Sequence, residues 1–415
     1  MEGMEEEEAR RRVIIIGAGP AGLATAACLS VLSIPFRVLE REDCTASLWR
    51  RRAYDRLKLH LAKQFCELPH MPHPAGTPTY MPKDTFVRYL DDYAVKFGIR
   101  PNFGAAVESA VCREEDGKWA VTARNAATGE ASEHVGGFLV VATGENSEPH
   151  VPKVDGLEEF AGEVLHSSEY KCGEKYGGKK VLVVGSGNSG MEIAYDLSNY
   201  GALTSICVRS EFHVVNKEMI HLGMFLLKYK MPLLLVDKIM LLLCKINYGD
   251  LSKFGIVRPK AGPFLLKATA GKTPAIDVGT VGKIKAGEIQ VLPGISTIEG
   301  NCLRFTNGVT HYFDTILFAT GYTSAANRWL KDKNHFLNEK GLPSRRFPNH
   351  WKGENGLYSA GLASRGLEGI AGDARLIAND ICMTLRNTRA MEKPGYYKLR
   401  KEGENSKMNF APKVE

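Results

Sequence analysis

The chain carries the same glycine turn twice, each time between a buried strand and a helix. Gly17-Ala18-Gly19-Pro20-Ala21-Gly22 follows the branched run Val13-Ile14-Ile15-Ile16, and Gly185-Ser186-Gly187-Asn188-Ser189-Gly190 follows Val181-Leu182-Val183-Val184. In a G-x-G-x-x-G turn the first glycine permits the tight bend, the second lets backbone approach a pyrophosphate, and the third lets helix and strand pack closely. The helix that follows offers free N–H groups and a positive dipole end to phosphate oxygens. An apolar run of four residues suits a parallel sheet covered on both faces. The spacing predicts helices over 21–30 and 191–199 and second strands over 36–39 and 205–208. The fold class that follows is α/β, with two Rossmann-like dinucleotide-binding domains.

What comes after each turn differs. Glu40 ends the first unit's second strand, 18 positions after Gly22, where a carboxylate accepts hydrogen bonds from a ribose diol. The second unit has Arg209, 19 positions after Gly190, with Ser210 beside it and no acid there. A carboxylate would repel a ribose 2′-phosphate, whereas a guanidinium pairs with it. The difference assigns FAD to the first turn and NADPH to the second; the competing view of Arg209 is an ordinary surface arginine. Expected cofactor-binding residues are Gly17, Gly19, Pro20, Ala21, Gly22, Glu40 and Arg41 in the first site. In the second they are Gly185, Gly187, Asn188, Ser189, Gly190, Arg209 and Ser210.

Two Ala-Thr-Gly strand ends, 142–144 and 319–321, flank the second unit and add Thr143, Gly144, Thr320 and Gly321 to the expected sites. The simplest topology is nested, with the NADPH domain inserted into the FAD domain. The expected division is a flexible tail over 1–12, the FAD-binding domain over 13–149, the NADPH-binding domain over 150–322, a return segment over 323–394 and a flexible tail over 395–415.

Composition excludes several other classes. The net charge of +7 is scattered rather than gathered in a basic stripe with interleaved aromatics, so nucleic acid is not an expected partner. The nine cysteines are odd in number and contain no C-x-x-C pair, which argues against a disulfide framework, a zinc site and a redox dithiol. A reducing, cytoplasmic setting follows. The N-terminal segment lacks the apolar core of a signal peptide. The leucine-rich stretch over 231–246 is interrupted by Asp237, Lys238 and Lys245, and reads as a buried or amphipathic helix pair rather than a membrane span. Peripheral membrane contact stays open for it.

The segment joining the two units narrows the reading. Phe160-Ala161-Gly162-Glu163-Val164-Leu165-His166-Ser167-Ser168-Glu169-Tyr170-Lys171 matches F-x-G-x-x-x-H-x-x-x-[YF]-K, the signature of flavin-containing monooxygenases. The related Baeyer–Villiger signature ends in tryptophan, where this chain has Tyr170. Further stretches resemble the plant YUCCA family of those monooxygenases. They include Tyr54-Asp55-Arg56-Leu57-Lys58-Leu59-His60-Leu61, Gly187-Asn188-Ser189-Gly190-Met191-Glu192, Gly271-Lys272-Thr273-Pro274, Asp277-Val278-Gly279-Thr280 and Phe318-Ala319-Thr320-Gly321-Tyr322. The likeness runs from about Val13 to Ile381. It implies FAD, NADPH and O2, and the oxidative decarboxylation of indole-3-pyruvate to indole-3-acetate, the auxin, through a C4a-peroxy flavin. A cytoplasmic protein associated with the endoplasmic reticulum surface is the accompanying expectation.

The resemblance also supplies candidate catalytic residues. His60, in His60-Leu61-Ala62-Lys63, stands where amine- and sulfide-oxidising relatives have asparagine. It is a candidate for setting the protonation of the oxygenating species, with a packing role as the alternative. His166 is a candidate catalytic residue of the hinge, or a buried structural histidine. The substrate carboxylate needs a cation, for which Lys63 and Arg365 are candidates. Leu48 and Trp49 are expected against the flavin, or in the core. Residues 369–373, ending at Asp373, are expected to precede a helix over 374–385 that aims its N-terminus at the flavin. Oxidation of amines or sulfides remains the alternative activity, a non-catalytic flavin-binding role a more distant one, and the sequence leaves the oligomeric state open.

Overall fold

A computed structural model describes residues 2–331 and 335–392. The first apolar run forms the strand Val13–Ile16, whose four side chains are all buried. It pairs in parallel with Phe36–Leu39 on one side and Phe138–Val141 on the other, and Leu357–Ser359 completes a four-stranded sheet. The second run forms Lys180–Val184 at the centre of a five-stranded parallel sheet. Leu203–Cys207 and Ile289–Leu292 lie on one side of it, Thr315–Phe318 and Glu163–His166 on the other. The whole second sheet thus falls inside a gap in the first, as expected of a nested chain.

The crossings between the two units are made by the strands Glu148–Pro149 and Tyr322–Thr323, which pair antiparallel with each other. We propose that the domain boundaries lie at this pair. In both sheets the chain leaves the central strand in one direction and later returns to its other side. The switch points lie between Val13–Ile16 and Phe138–Val141, and between Lys180–Val184 and Thr315–Phe318. Ligands of parallel α/β sheets bind at the carboxyl ends of the strands at such points.

Three expectations need correction. The N-terminal segment is not only a tail: Glu2–Arg11 is helical and docks on the first unit, where Gly137 N–H donates to Ala9 O at 3.0 Å. The C-terminal helix runs from Gly366 to Glu392, so residues 369–373 lie inside it rather than before it. Three glycines in its first turns, Gly366, Gly369 and Gly372, weaken the helical signal. Packing of Ile370, Ala374, Ile377, Ala378 and Ile381 into the first core overrides their propensity. Residues 231–246 give one long helix, Leu233–Tyr248, paired with Lys217–Lys228. Val236, Met240 and Cys244 face inward while Leu234, Leu242 and Ile246 are exposed. The Asp237 that interrupts its apolar run is buried and accepts the N–H groups of Phe264 and Leu265, both at 2.9 Å, at the start of the Pro263–Ala270 helix. No helix among the described residues is long and apolar enough to cross a membrane, and the expected tail over 395–415 lies outside those residues.

Candidate functional site

Each glycine turn is shaped by neighbours that leave no room for a side chain except where a ligand approaches. Gly17 has φ +111°, and a Cβ there would lie 2.5 Å from Ala142 O. A Cβ on Gly22 would lie 1.9 Å from Gly17 O, yet one on Gly19 would meet nothing within 4 Å. The second turn repeats this with Gly185 against Ala319 O, Gly190 against Gly185 O, and open space at Gly187. Gly19 and Gly187 are the N-caps of the helices Pro20–Val31 and Asn188–Asn199, with Pro20 and Ala21 in the first turn of the former. No side chain caps either helix, which leaves the first N–H groups available to phosphate oxygens. These cradles fit two pyrophosphates.

Glu40 is buried, and its Oε2 and Oε1 accept the N–H groups of Ala18 at 2.7 Å and Glu42 at 2.9 Å. Burial pushes its pKa up, against the pull of those two donors. Its carboxylate thereby ties the second strand to the glycine turn. Arg41 lies at the rim, with Nη1 3.4 Å from Glu148. Leu48 and Trp49 fall on the short π-helical turn Leu48–Arg52, and Ala46 N–H donates to Ala18 O beside the same cradle. The Trp49 ring packs edge-on against Phe86, with centroids 4.9 Å apart. Thr143, which follows the Phe138–Val141 strand at the first sheet's switch point, has its Oγ1 buried with no hydrogen-bond partner among the described residues.

In the second site Arg209 and Ser210 are exposed, and among the described residues Arg209 forms no ion pair with a carboxylate. Asn188 accepts Ile276 N–H at 2.7 Å, which fixes the loop in front of the helix, and Ser189 adjoins the Tyr54 hydroxyl. Thr320 Oγ1 donates to His150 O, and Gly321 O accepts from His166.

A set of polar contacts ties residues 54–60 to the second site's helix. Glu192, on the second site's helix, is buried; its Oε2 accepts from the Tyr54 hydroxyl at 2.9 Å and lies 3.2 Å from His60 Nε2. Arg56 Nε stands 3.5 Å from Glu192 and its Nη1 3.5 Å from Asp196, which also accepts from the Tyr170 hydroxyl at 2.6 Å. Burial, then Glu192, holds Tyr54 well above the usual phenol range. A cleft of about 500 Å³ opens beside this set, lined by Arg56, Lys58, Glu192, Lys217, Glu218 and Asp277. Tyr54, Arg56, Glu192 and Asp196 were not expected as site residues. Glu192 is 132 positions from His60, and no local pattern signals their pairing.

The remaining candidates are spread apart. His166 is buried: its Nε2–H donates to Gly321 O at 3.1 Å, and its Nδ1 accepts Ser168 N–H at 3.2 Å. These partners fix the neutral ring, and burial lowers its pKa. It holds the end of one strand to the turn after another. Lys63 Nζ donates to Thr77 O at 2.7 Å. Arg365 lies over the Phe347 ring, 4.3 Å from its centroid. Asp373, also buried, accepts from His350 Nε2 at 2.9 Å and Gly361 N–H at 3.0 Å, and so ties the long helix to the loop before it.

Comparison with known proteins places this geometry in context. A model of the flavin-binding monooxygenase-like family matches residues 10–340. Probable indole-3-pyruvate monooxygenase YUCCA10 of Arabidopsis thaliana is 53% identical over 379 residues, which cover 90% of this chain and 99% of that protein. Indole-3-pyruvate monooxygenase YUCCA1 of Oryza sativa subsp. japonica is 48% identical, with 89% and 90% covered. Among solved structures, a flavin-containing monooxygenase from Stenotrophomonas maltophilia shares the fold with a TM-score of 0.68 at 20% identity, over 90% of this chain and 98% of that one.

Proposed function

The chain belongs to the flavin-binding monooxygenase-like family, and from that premise we propose that it converts indole-3-pyruvate to indole-3-acetate in auxin biosynthesis, with NADPH and O2 as co-substrates. It is a flavin-dependent monooxygenase. The observation that carries the reading is the pair of glycine cradles with opposite chemistry at their second strands, Glu40 in one and Arg209 in the other, joined by the Tyr54–Glu192–His60 contacts. The substrate comes from the relatives that share about half of this sequence.

Bound FAD supplies acceptance of hydride and activation of O2. The protein's own residues supply position and exclusion of water. Gly17, Gly19 and Gly22 with the helix at Pro20 hold one pyrophosphate, and Gly185, Gly187 and Gly190 with the helix at Asn188 hold the other. Arg209 selects the 2′-phosphate. Glu192 orients His60 by direct contact, so that an imidazole of the first unit is held against the second site's helix. His166 keeps the turn at Gly321 in place as a neutral ring. The same reading puts the protein in the cytoplasm. Exposed Phe225, Tyr229, Leu234 and Leu242 on the paired helices supply a peripheral contact with the endoplasmic reticulum surface.

The test is purification to a yellow protein, followed by NADPH consumption and product analysis with indole-3-pyruvate and, separately, a thioether. Indole-3-acetate formed in step with NADPH oxidation is expected. Sulfoxide from the thioether with no indole-3-acetate would transfer the assignment to amine and sulfide oxidation.

A further inference from the structure

Glu192, Tyr195 and Asp196 stand three and four positions apart on the Asn188–Asn199 helix, so they share one of its faces. Both carboxylates are buried, yet they are answered from different places. Asp196 has partners inside its own unit: it accepts from the Tyr170 hydroxyl at 2.6 Å and from Gly173 N–H at 3.1 Å. Among the described residues, the hydrogen-bond and ion-pair partners of Glu192 all come from residues 54–60. They are the Tyr54 hydroxyl at 2.9 Å, His60 Nε2 at 3.2 Å and Arg56 Nε at 3.5 Å. Arg56 spans the whole face, with Nη1 3.5 Å from Asp196 and its guanidinium 4.6 Å from the centroid of the Tyr195 ring.

The segment that supplies these partners is fastened to the first unit. Leu59 N–H donates to Met81 O at 2.8 Å and Lys83 N–H to Leu57 O at 3.0 Å. Leu59 and Met81 pack in the first core, whereas Tyr54 packs in the second. Upstream, Ala46 N–H donates to Ala18 O in the first glycine turn. A short run of chain therefore leads from the first cradle to the helix that begins at the second. A buried carboxylate that loses its partners is left as an uncompensated charge, which is strongly unfavourable. Glu192 keeps its partners only while helix and segment stay in one relative placement.

We propose that Glu192, gripped by Arg56 and Tyr54, is the positioning residue that sets the NADPH-binding helix in register with the FAD unit for hydride transfer. Hydride transfer needs the reacting atoms close and aligned, and a misplacement of about 1 Å can cost about a hundredfold in rate. The inference stands on the two cofactors and not on the identity of the oxygenated substrate. Other bridges keep the units together when this one is cut. Asp55 N–H donates to Lys171 O at 2.9 Å, and the side chains of Gln64 and His221 are hydrogen-bonded at 2.9 Å.

The test uses the holoenzyme carrying Glu192→Leu, Arg56→Met, both together, or Glu192→Gln. Anaerobic stopped-flow reduction by NADPH gives the limiting rate and the Kd for NADPH, and amide hydrogen exchange over residues 54–60 reports the contact itself. The limiting rate should fall about tenfold to a hundredfold in Glu192→Leu and Arg56→Met, with flavin content and Kd within about twofold of wild type. Residues 54–60 should exchange faster. The double variant should be no slower than the worse single one, because both act through one contact. Glu192→Gln keeps acceptors for Tyr54 and His60 and should recover part of the rate. It also carries the test with Arg56→Met if the leucine variant loses flavin. An unchanged limiting rate in variants that retain flavin overturns the inference. So does a raised Kd at constant limiting rate, which would make Glu192 a nucleotide-binding residue, and so do additive losses in the double variant.

Discussion

In both nucleotide units the first glycine of the turn holds a φ above +110° and faces an alanine carbonyl, Ala142 O at 2.5 Å from a built Cβ in one and Ala319 O at 2.6 Å in the other. The backbones are near copies; the side chains that complete them are not. In the second unit the strand-end threonine is satisfied by protein, Thr320 donating to His150 O, and Gly321 O is held by His166. In the first unit Thr143 Oγ1 has no partner. Glu40 is 8% exposed and preset by two backbone N–H groups, whereas Arg209 is exposed and forms no ion pair among the described residues. A buried, preset carboxylate suits a resident cofactor, and an exposed guanidinium suits one that arrives and leaves. We propose that the same fold element serves once as a permanent socket and once as a docking site.

The sharpest way to break this comparison is at the third glycines. A Cβ on Gly22 or on Gly190 would sit 1.9 Å from the carbonyl of the first glycine of its own turn, a backbone clash that no rotamer relieves. Gly22→Ala should yield protein without flavin, read from the ratio of flavin to protein absorbance after gel filtration. Gly190→Ala should keep its flavin and slow flavin reduction by NADPH about a hundredfold, in line with the cost of overpacking. Equal loss of flavin in both variants would show that the sites are not separable.

A smaller effect is expected at Arg209. Arg209→Ala should lower kcat/KM for NADPH about tenfold to a hundredfold, the worth of a guanidinium–phosphate pair, and leave the value for NADH unchanged. An unchanged preference for NADPH over NADH would remove Arg209 from the site.

Much of this was legible in the sequence because it is local. The glycine turns, Glu40 and Arg209 lie within fixed distances of one strand–helix–strand unit, and the nested order follows from two Ala-Thr-Gly strand ends either side of the second turn. The contacts between units were not legible. Tyr54 and His60 meet Glu192 across 138 and 132 positions. Such contacts arise from how two separate sheets dock, and no periodicity records them. The long C-terminal helix was underread for a related reason: Gly369 and Gly372 speak against helix locally, while the packing that enforces it comes from the first core.

His166 gives the smallest effect and the finest distinction between the units, since it ties down only the second Ala-Thr-Gly end. Its pKa lies below the ordinary value of 6.5 because burial disfavours the charged ring. The unfolded chain therefore binds this proton more readily than the folded one. The stability His166 contributes is complete above pH 6.5 and is lost as pH falls below that value toward its folded-state pKa. Glutamine can donate to Gly321 O and accept from Ser168 N–H without titrating. His166→Gln should cost about 1 kcal/mol at pH 7.5, of the order of one imperfect hydrogen bond, and leave flavin content unchanged. Between pH 6.5 and 5 the gap in thermal midpoint between variant and wild type should narrow. His73, His134 and His213 are lowered by burial too, so both proteins will weaken in acid, and the difference between them isolates His166. A gap that stays constant with pH would mean that the ring is not the neutral, titrating latch its two hydrogen bonds describe. A collapse of kcat with stability and flavin reduction intact would return His166 from a positioning role to a catalytic one.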